Sequence, residues 1–115
     1  MPKDFSLEDA LITLRREFAA TLPTRLAVLR LALGALRHTA TTEAIQAFYL
    51  PAHSLQGTAG SYEAHELVPH VARIAALGRR WRDGGVASPS DLDDAVRELD
   101  ALEAATEHYR QRVGG

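Results

Sequence analysis

Apolar residues recur along this chain at steps of three and four, the period of helices that bury one face. Leu7, Leu11, Leu14, Phe18, Leu22, Leu26, Leu29, Leu33 and Leu36 form a heptad seam with a single phase slip. Pro23 sits at that slip, which predicts either two helices or one long kinked helix. Ser6 with Asp9 three residues on makes a capping box, and Phe5 is placed as a hydrophobic staple. A turn is expected at His38-Thr39-Ala40-Thr41. The second stripe runs Ile45, Phe48, Ala52, Leu55, Ala59, Tyr62, with Pro51 inside it as a further kink point. The third runs Leu67, Val71, Ile74, Gly78, Trp81, with Pro69 in its first turn and Asp83-Gly84-Gly85 suited to its end. Ser88-Pro89-Ser90-Asp91 opens the fourth, which continues through Leu92, Val96, Leu99, Leu102, Tyr109 and Val113. Four amphipathic segments with short connections predict an all-α protein, an up-down antiparallel four-helix bundle with an additional or kinked N-terminal helix. The whole of residues 1–115 reads as one domain, with its core over about 6–113.

Composition sharpens this picture. The 115 residues include 20 Ala and 16 Leu against 6 Val and 3 Ile, an alphabet for helices rather than sheets. The absence of cysteine excludes disulfides, thiol catalysis and thiolate metal sites, and fits a reducing cytoplasm. No run approaches the ~20 apolar residues of a membrane span, and MPKDFSLED lacks the apolar stretch of a signal peptide. The expected setting is therefore cytoplasmic, with no membrane partner.

Charge is unevenly divided, basic before about residue 82 and acidic after it, which reads as solvated helix faces of opposite sign. Arg79, Arg80 and Arg82 flank Trp81, an arrangement that can contact nucleic acid. The formal charge of −2 and pI of about 6.2 argue against that partner, since phosphate backbones need a basic footprint. Trp81 is instead expected in the core, with the arginines favouring the helix C-terminal dipole.

The second stripe carries the chemistry. His53 points roughly 130° away from its mean apolar direction, at about 100° per residue, and so faces solvent. Gln56, Gly57 and Gly60 share that side within two turns. Each glycine in a helix costs about 0.5–1 kcal/mol relative to alanine. The compensation would be clearance, since another protein's loop can approach an imidazole that has no Cβ at i+4 or i+7. An exposed imidazole that is largely neutral leaves a ring nitrogen available as a nucleophile. No carboxylate lies three or four residues from His53, which argues against a self-contained hydrolase. His38, His65, His70 and His108 read as ordinary surface residues. His65 and His70, about 140° apart on a helix, would be poor co-ligands for a metal. Tyr49 shares the His53 side as rim packing or docking surface, and Arg73 is a candidate docking residue.

His53-Ser54-Leu55-Gln56-Gly57-Thr58-Ala59-Gly60 resembles the phosphoacceptor segment H-x-L-K-G-(S/T/A)-(A/S) of histidine-containing phosphotransfer domains, which are four-helix bundles. Leu22-Pro23-Thr24-Arg25-Leu26, Ala52 and Ala64-His65-Glu66-Leu67 stand at spacings similar to that family's. The resemblance implies that His53 accepts a phosphoryl group on its outer ring nitrogen. The donor would be a phospho-aspartate on a response-regulator receiver domain or a hybrid sensor histidine kinase, and another receiver would take the group onward. Gly57 would let the receiver's loops close over His53. The protein would be a monomeric phosphocarrier without kinase activity, metal or cofactor of its own, and the receiver would supply Mg²⁺. Two positions depart from the family. Gln56 replaces the usual lysine and offers a neutral hydrogen bond instead of a charge. Glu63 stands where glycine is common, so a turn other than a left-handed one is expected there, because left-handed backbone costs a non-glycine roughly 1–2 kcal/mol. The competing reading is a helical protein-interaction module whose His53 is never phosphorylated. A kinase or phosphatase is disfavoured by the lack of a nucleotide- or metal-binding motif.

Overall fold

The computed structural model describes residues 6–114. They form four helices, α1 (Leu7–His38), α2 (Thr42–Ser61), α3 (Val68–Arg82) and α4 (Pro89–Arg112), and no strand occurs among them. Three of the four starts are capped by a side chain, Ser6 and Ser88 as the sequence predicts and Thr41 where it predicts only a turn. Ser6, Thr41 and Ser88 accept from the backbone N–H groups of Asp9, Ala44 and Asp91 at 3.0, 3.1 and 3.1 Å, satisfying donors that a helix start leaves open. The staple position, Phe5, lies outside the described residues.

Each helix packs on the next and α4 returns to α1, and side-chain pairs show every neighbour to be antiparallel. Phe18 near the start of α1 stacks on Tyr62 at the end of α2, with ring centroids 5.0 Å apart. Phe48 of α2 meets Trp81 of α3 at 5.4 Å. Arg80 of α3 pairs with Asp91 of α4 at 2.7 Å, and Arg37 of α1 with Asp93 of α4 at 3.2 Å. The stripes of α3 and α4 lie inward: Leu67, Val71, Ile74, Gly78, Trp81, Leu92, Leu99, Leu102 and Tyr109 are all buried. Trp81 enters the core while its Nε1–H donates to the Asp91 carboxylate at 3.1 Å, so its one polar group is satisfied. Asp91, within the acidic run expected to be solvated surface, is thereby a structural residue. Arg80 first, and then the Trp81 N–H, hold its carboxyl below the usual aspartate range.

The heptad seam of α1 is only partly core. Phe18, Leu22, Leu26, Leu29, Leu33 and Leu36 are buried, but Leu7, Leu11 and Leu14 are 76%, 38% and 41% exposed. The reason is length. Arg15 meets Glu63 just past the end of α2 at 2.7 Å, and Arg16 Nε donates to the Val113 carbonyl just past α4 at 2.9 Å. The turns before them have no helix alongside, which gives the molecule its long axis of 60 Å against 22 and 19 Å across. α1 runs unbroken through Pro23 and α2 through Pro51. The local cost of a proline, about 3 kcal/mol, is outweighed by the buried residues on both sides of each. Contrary to the expectation that no stretch approaches a membrane span, an 18-residue window of α1 has mean hydropathy 1.3, enough by length and composition alone to cross one. In this fold its apolar side packs into the bundle.

The α2–α3 turn departs from expectation. Ala64 N–H bonds the Ala59 carbonyl at 2.9 Å and Glu63 N–H the Gly60 carbonyl at 3.2 Å, the paired bonds of a Schellman cap. That cap needs a left-handed residue after the helix, and Glu63 takes that conformation with φ 54°. The backbone cost is offset by partners at both ends of the residue. Arg15 binds its carboxylate at 2.7 Å, and Arg112 donates to its carbonyl at 2.9 Å while also gripping Glu66. The equivalent bonds after α3, Gly85 to Arg80 and Gly84 to Trp81, use Gly84 at φ 103°, as glycine readily allows.

Candidate functional site

α2 is anchored by Phe48, Ala52, Leu55 and Ala59, each no more than 1% exposed. With that face fixed, the 3.6-residue period turns His53, Ser54, Gly57 and Gly60 outward, and all four are exposed. Gln56 is half-buried beside them. Among the described residues, His70 is the histidine with a hydrogen-bonding partner, Glu98 at 3.1 Å. His53 has none, so neither ring nitrogen is committed to a partner among the described residues. His53, Ser54, Gly57, Thr58, Ser61 and Tyr62 line an open depression of about 530 Å³. Two hydroxyls of that surface are turned back onto the helix. Thr58 Oγ1 donates to the Ser54 carbonyl at 2.8 Å and Ser61 Oγ to the Gly57 carbonyl at 3.2 Å.

The glycines separate into two kinds. A Cβ added at Gly57 or at Gly60 would meet no atom within 4 Å beyond its own neighbourhood in the helix. A Cβ on Gly78 of α3 would lie 3.2 Å from both Cα and Cδ1 of Tyr49. Packing therefore explains Gly78 and leaves Gly57 and Gly60 unexplained by the fold. Both bare positions lie on the side of α2 that carries His53.

Tyr49 is one turn before His53 and only 6% exposed. Its ring stacks on the imidazole with centroids 5.5 Å apart and planes 22° from parallel, while the Arg82 guanidinium lies 4.5 Å from its centroid. It is a packing residue of the site and offers little surface for docking. Arg73 is exposed, with its guanidinium 3.6 Å from Glu98 on α4. It joins His70 in the α3–α4 groove, and no contact links it to His53. Leu50, three residues before His53 and 55% exposed, was not among the residues that the sequence singled out. Its place off the buried stripe, on the histidine's side of the helix, is the signal that marks it.

No group of three or more His, Asp or Glu side chains suited to a metal ion occurs among the described residues. His65 lies in the turn before α3, apart from the helix that carries His70. The chain matches no family model, no curated protein and no solved structure.

Proposed function

We propose that this chain is a phosphocarrier whose His53 accepts and passes on a phosphoryl group, as the resemblance of its α2 segment to histidine-containing phosphotransfer domains implies. One observation carries the reading: an uncommitted, exposed imidazole on a rigid helix, flanked at i+4 and i+7 by glycines that packing does not require. The chemistry asks for little else on this side of the exchange. The outer imidazole nitrogen attacks phosphorus in line, the N–P bond forms, and the P–O bond to the donor aspartate breaks with the carboxylate leaving. Charge on the transferring group is neutralised by the receiver's own Mg²⁺ and basic residue, while this chain contributes aim and clearance. Leu50 beside His53 supplies an apolar foothold for the docking partner, and Gln56 offers a hydrogen bond where a lysine would offer a charge. A bundle that exchanges phosphoryl groups with receiver domains or a hybrid kinase would work in the cytoplasm as a monomer.

Profiling transfer from each phosphorylated receiver domain of the source organism, with Mg²⁺ present, tests the proposal. Rapid, selective labelling of this chain by one or a few receivers is expected. Labelling by none of them, alongside stable binding to one, would instead favour an interaction module.

A further inference from the structure

Tyr49 sits where the fold invests in holding an aromatic ring. On one side it presses into the notch left by Gly78, where a Cβ would stand 3.2 Å from its Cα and its Cδ1. The Arg82 guanidinium rests 4.5 Å from its ring centroid, within the range of a cation–π contact. The ring is 6% exposed, and the imidazole of His53 lies against it, 5.5 Å away and 22° from parallel. His53 has no hydrogen bond within the described chain to fix its side-chain torsions, so this stack is the contact that restrains the imidazole's direction. An exposed histidine without such a platform samples several rotamers, and each wrong one points the nucleophilic nitrogen away from an incoming phosphorus.

The geometry points to Tyr49 as the positioning residue of His53: a ring clamped by Gly78 and Arg82 that holds the imidazole ready for in-line phosphoryl transfer. The inference rests on the phosphoacceptor reading and adds how the nucleophile is aimed. Tyr49 touches the imidazole and acts through it, and its aromatic ring rather than its hydroxyl does the holding. Gly78 then matters to transfer at second hand, by leaving the notch in which Tyr49 is seated.

Tyr49→Leu, Tyr49→Phe and Gly78→Ala test this, each first shown to be folded by circular dichroism. The His53 ring protons are followed by NMR for the ring-current shift that a stacked tyrosine imposes. Phosphorylation is followed with two donors, a phosphorylated receiver and the small molecule phosphoramidate. The Leu variant should lose the ring-current shift and slow transfer from the receiver by roughly ten-fold or more, the scale of a misaimed reacting group. The Phe variant should keep the shift and the rate within about two-fold, and Gly78→Ala should weaken both. Phosphoramidate should label His53 at similar rates in all of them, because a small donor reaches an exposed nitrogen from any side. Unaltered receiver transfer in Tyr49→Leu, equal loss in Tyr49→Phe, or no ring-current shift in the wild type would overturn the inference. Failure of every receiver to label the wild type, with the ring-current pattern as expected, would overturn the transfer role and leave Tyr49 as a platform alone.

Discussion

Replacing Gly57 and Gly60 together by alanine separates a requirement of the fold from a requirement of the surface. In a helix interior glycine is about 0.8–1 kcal/mol less favourable than alanine. Neither new Cβ would meet an atom within 4 Å beyond its own neighbourhood in the helix, so no crowding term opposes that gain. The pair should stabilise the bundle by about 1–2 kcal/mol, or roughly 4–8 °C in melting temperature for a chain of this size. Gly34 of α1 is equally open and lies away from His53, so Gly34→Ala should bring about half the gain and leave transfer untouched. At Gly78 the added Cβ is only 3.2 Å from Tyr49 atoms, and overpacking of about 1–3 kcal/mol should cancel or exceed the helix gain. Thermal melts and urea titrations of the four proteins read the stabilities. The second half concerns the surface: Gly57→Leu should fold as well as the wild type yet block transfer from a receiver. No gain in the Gly57/Gly60 double variant would show that these positions are not ordinary helix. Undiminished transfer in Gly57→Leu would remove clearance as their purpose.

Other expectations follow from the same structure. Leu22 and Leu11 occupy the same heptad seam, but Leu22 is fully buried and Leu11 38% exposed. Leu22→Ala should therefore lose about 2–5 kcal/mol and Leu11→Ala no more than about 0.5–1 kcal/mol in urea denaturation, and equal losses would contradict the overhang of α1. Asp91 is held below the usual carboxylate range by Arg80 and Trp81, and Glu66 by Arg112. Folding therefore favours their charged forms. Their contribution is complete above the unfolded values of 3.8 and 4.5 and is lost as pH falls through the lower folded ones. Melting temperature should drop below about pH 4, less steeply in the Asp91→Asn, Glu66→Gln double variant, and an identical acid slope would count against both pairs. Gln56→Lys should slow the loss of phosphate from phosphohistidine by placing a charge beside it, measured as the decay of acid-labile label; an unchanged or faster decay would refute the charge argument.

Much of the architecture was legible because burial has a period. The stripes of α2, α3 and α4, the caps at Ser6 and Ser88, and the glycine stop after α3 follow from spacing and from backbone groups that need partners. What periodicity cannot express is whether a partner lies alongside. Leu7, Leu11 and Leu14 continue the seam of α1 in sequence, yet they stand beyond the end of the bundle. Pro23 left open two helices or one, and Pro51 marked a kink point, because a proline's local cost is visible in one segment, whereas the long-range packing that keeps α1 and α2 continuous is not. Glu63 shows the same competition. Its left-handed conformation is imposed by the Schellman bonds of Ala64 and of Glu63 itself, and is accommodated by Arg15 and Arg112, which are 48 and 49 residues away in sequence.

At the site, the outward direction of His53, Gly57 and Gly60 was legible from the helical period alone. The closeness of Gly78 to Tyr49 was not, since it depends on how α3 lies across α2; the helical period put Tyr49 and His53 on one side of α2 without showing that their rings stack. Arg73 was picked out on charge, and the structure adds that its exposed guanidinium lies 3.6 Å from Glu98 on α4.

The most direct test of the account is transfer of radiolabelled phosphate from a phosphorylated receiver domain to the purified chain, with His53→Gln beside the wild type. Acid-labile label is expected on the wild type and none on the variant, with both proteins equally folded. Equal labelling of the two would place the acceptor elsewhere, and labelling of neither by any receiver would contradict the phosphocarrier role itself.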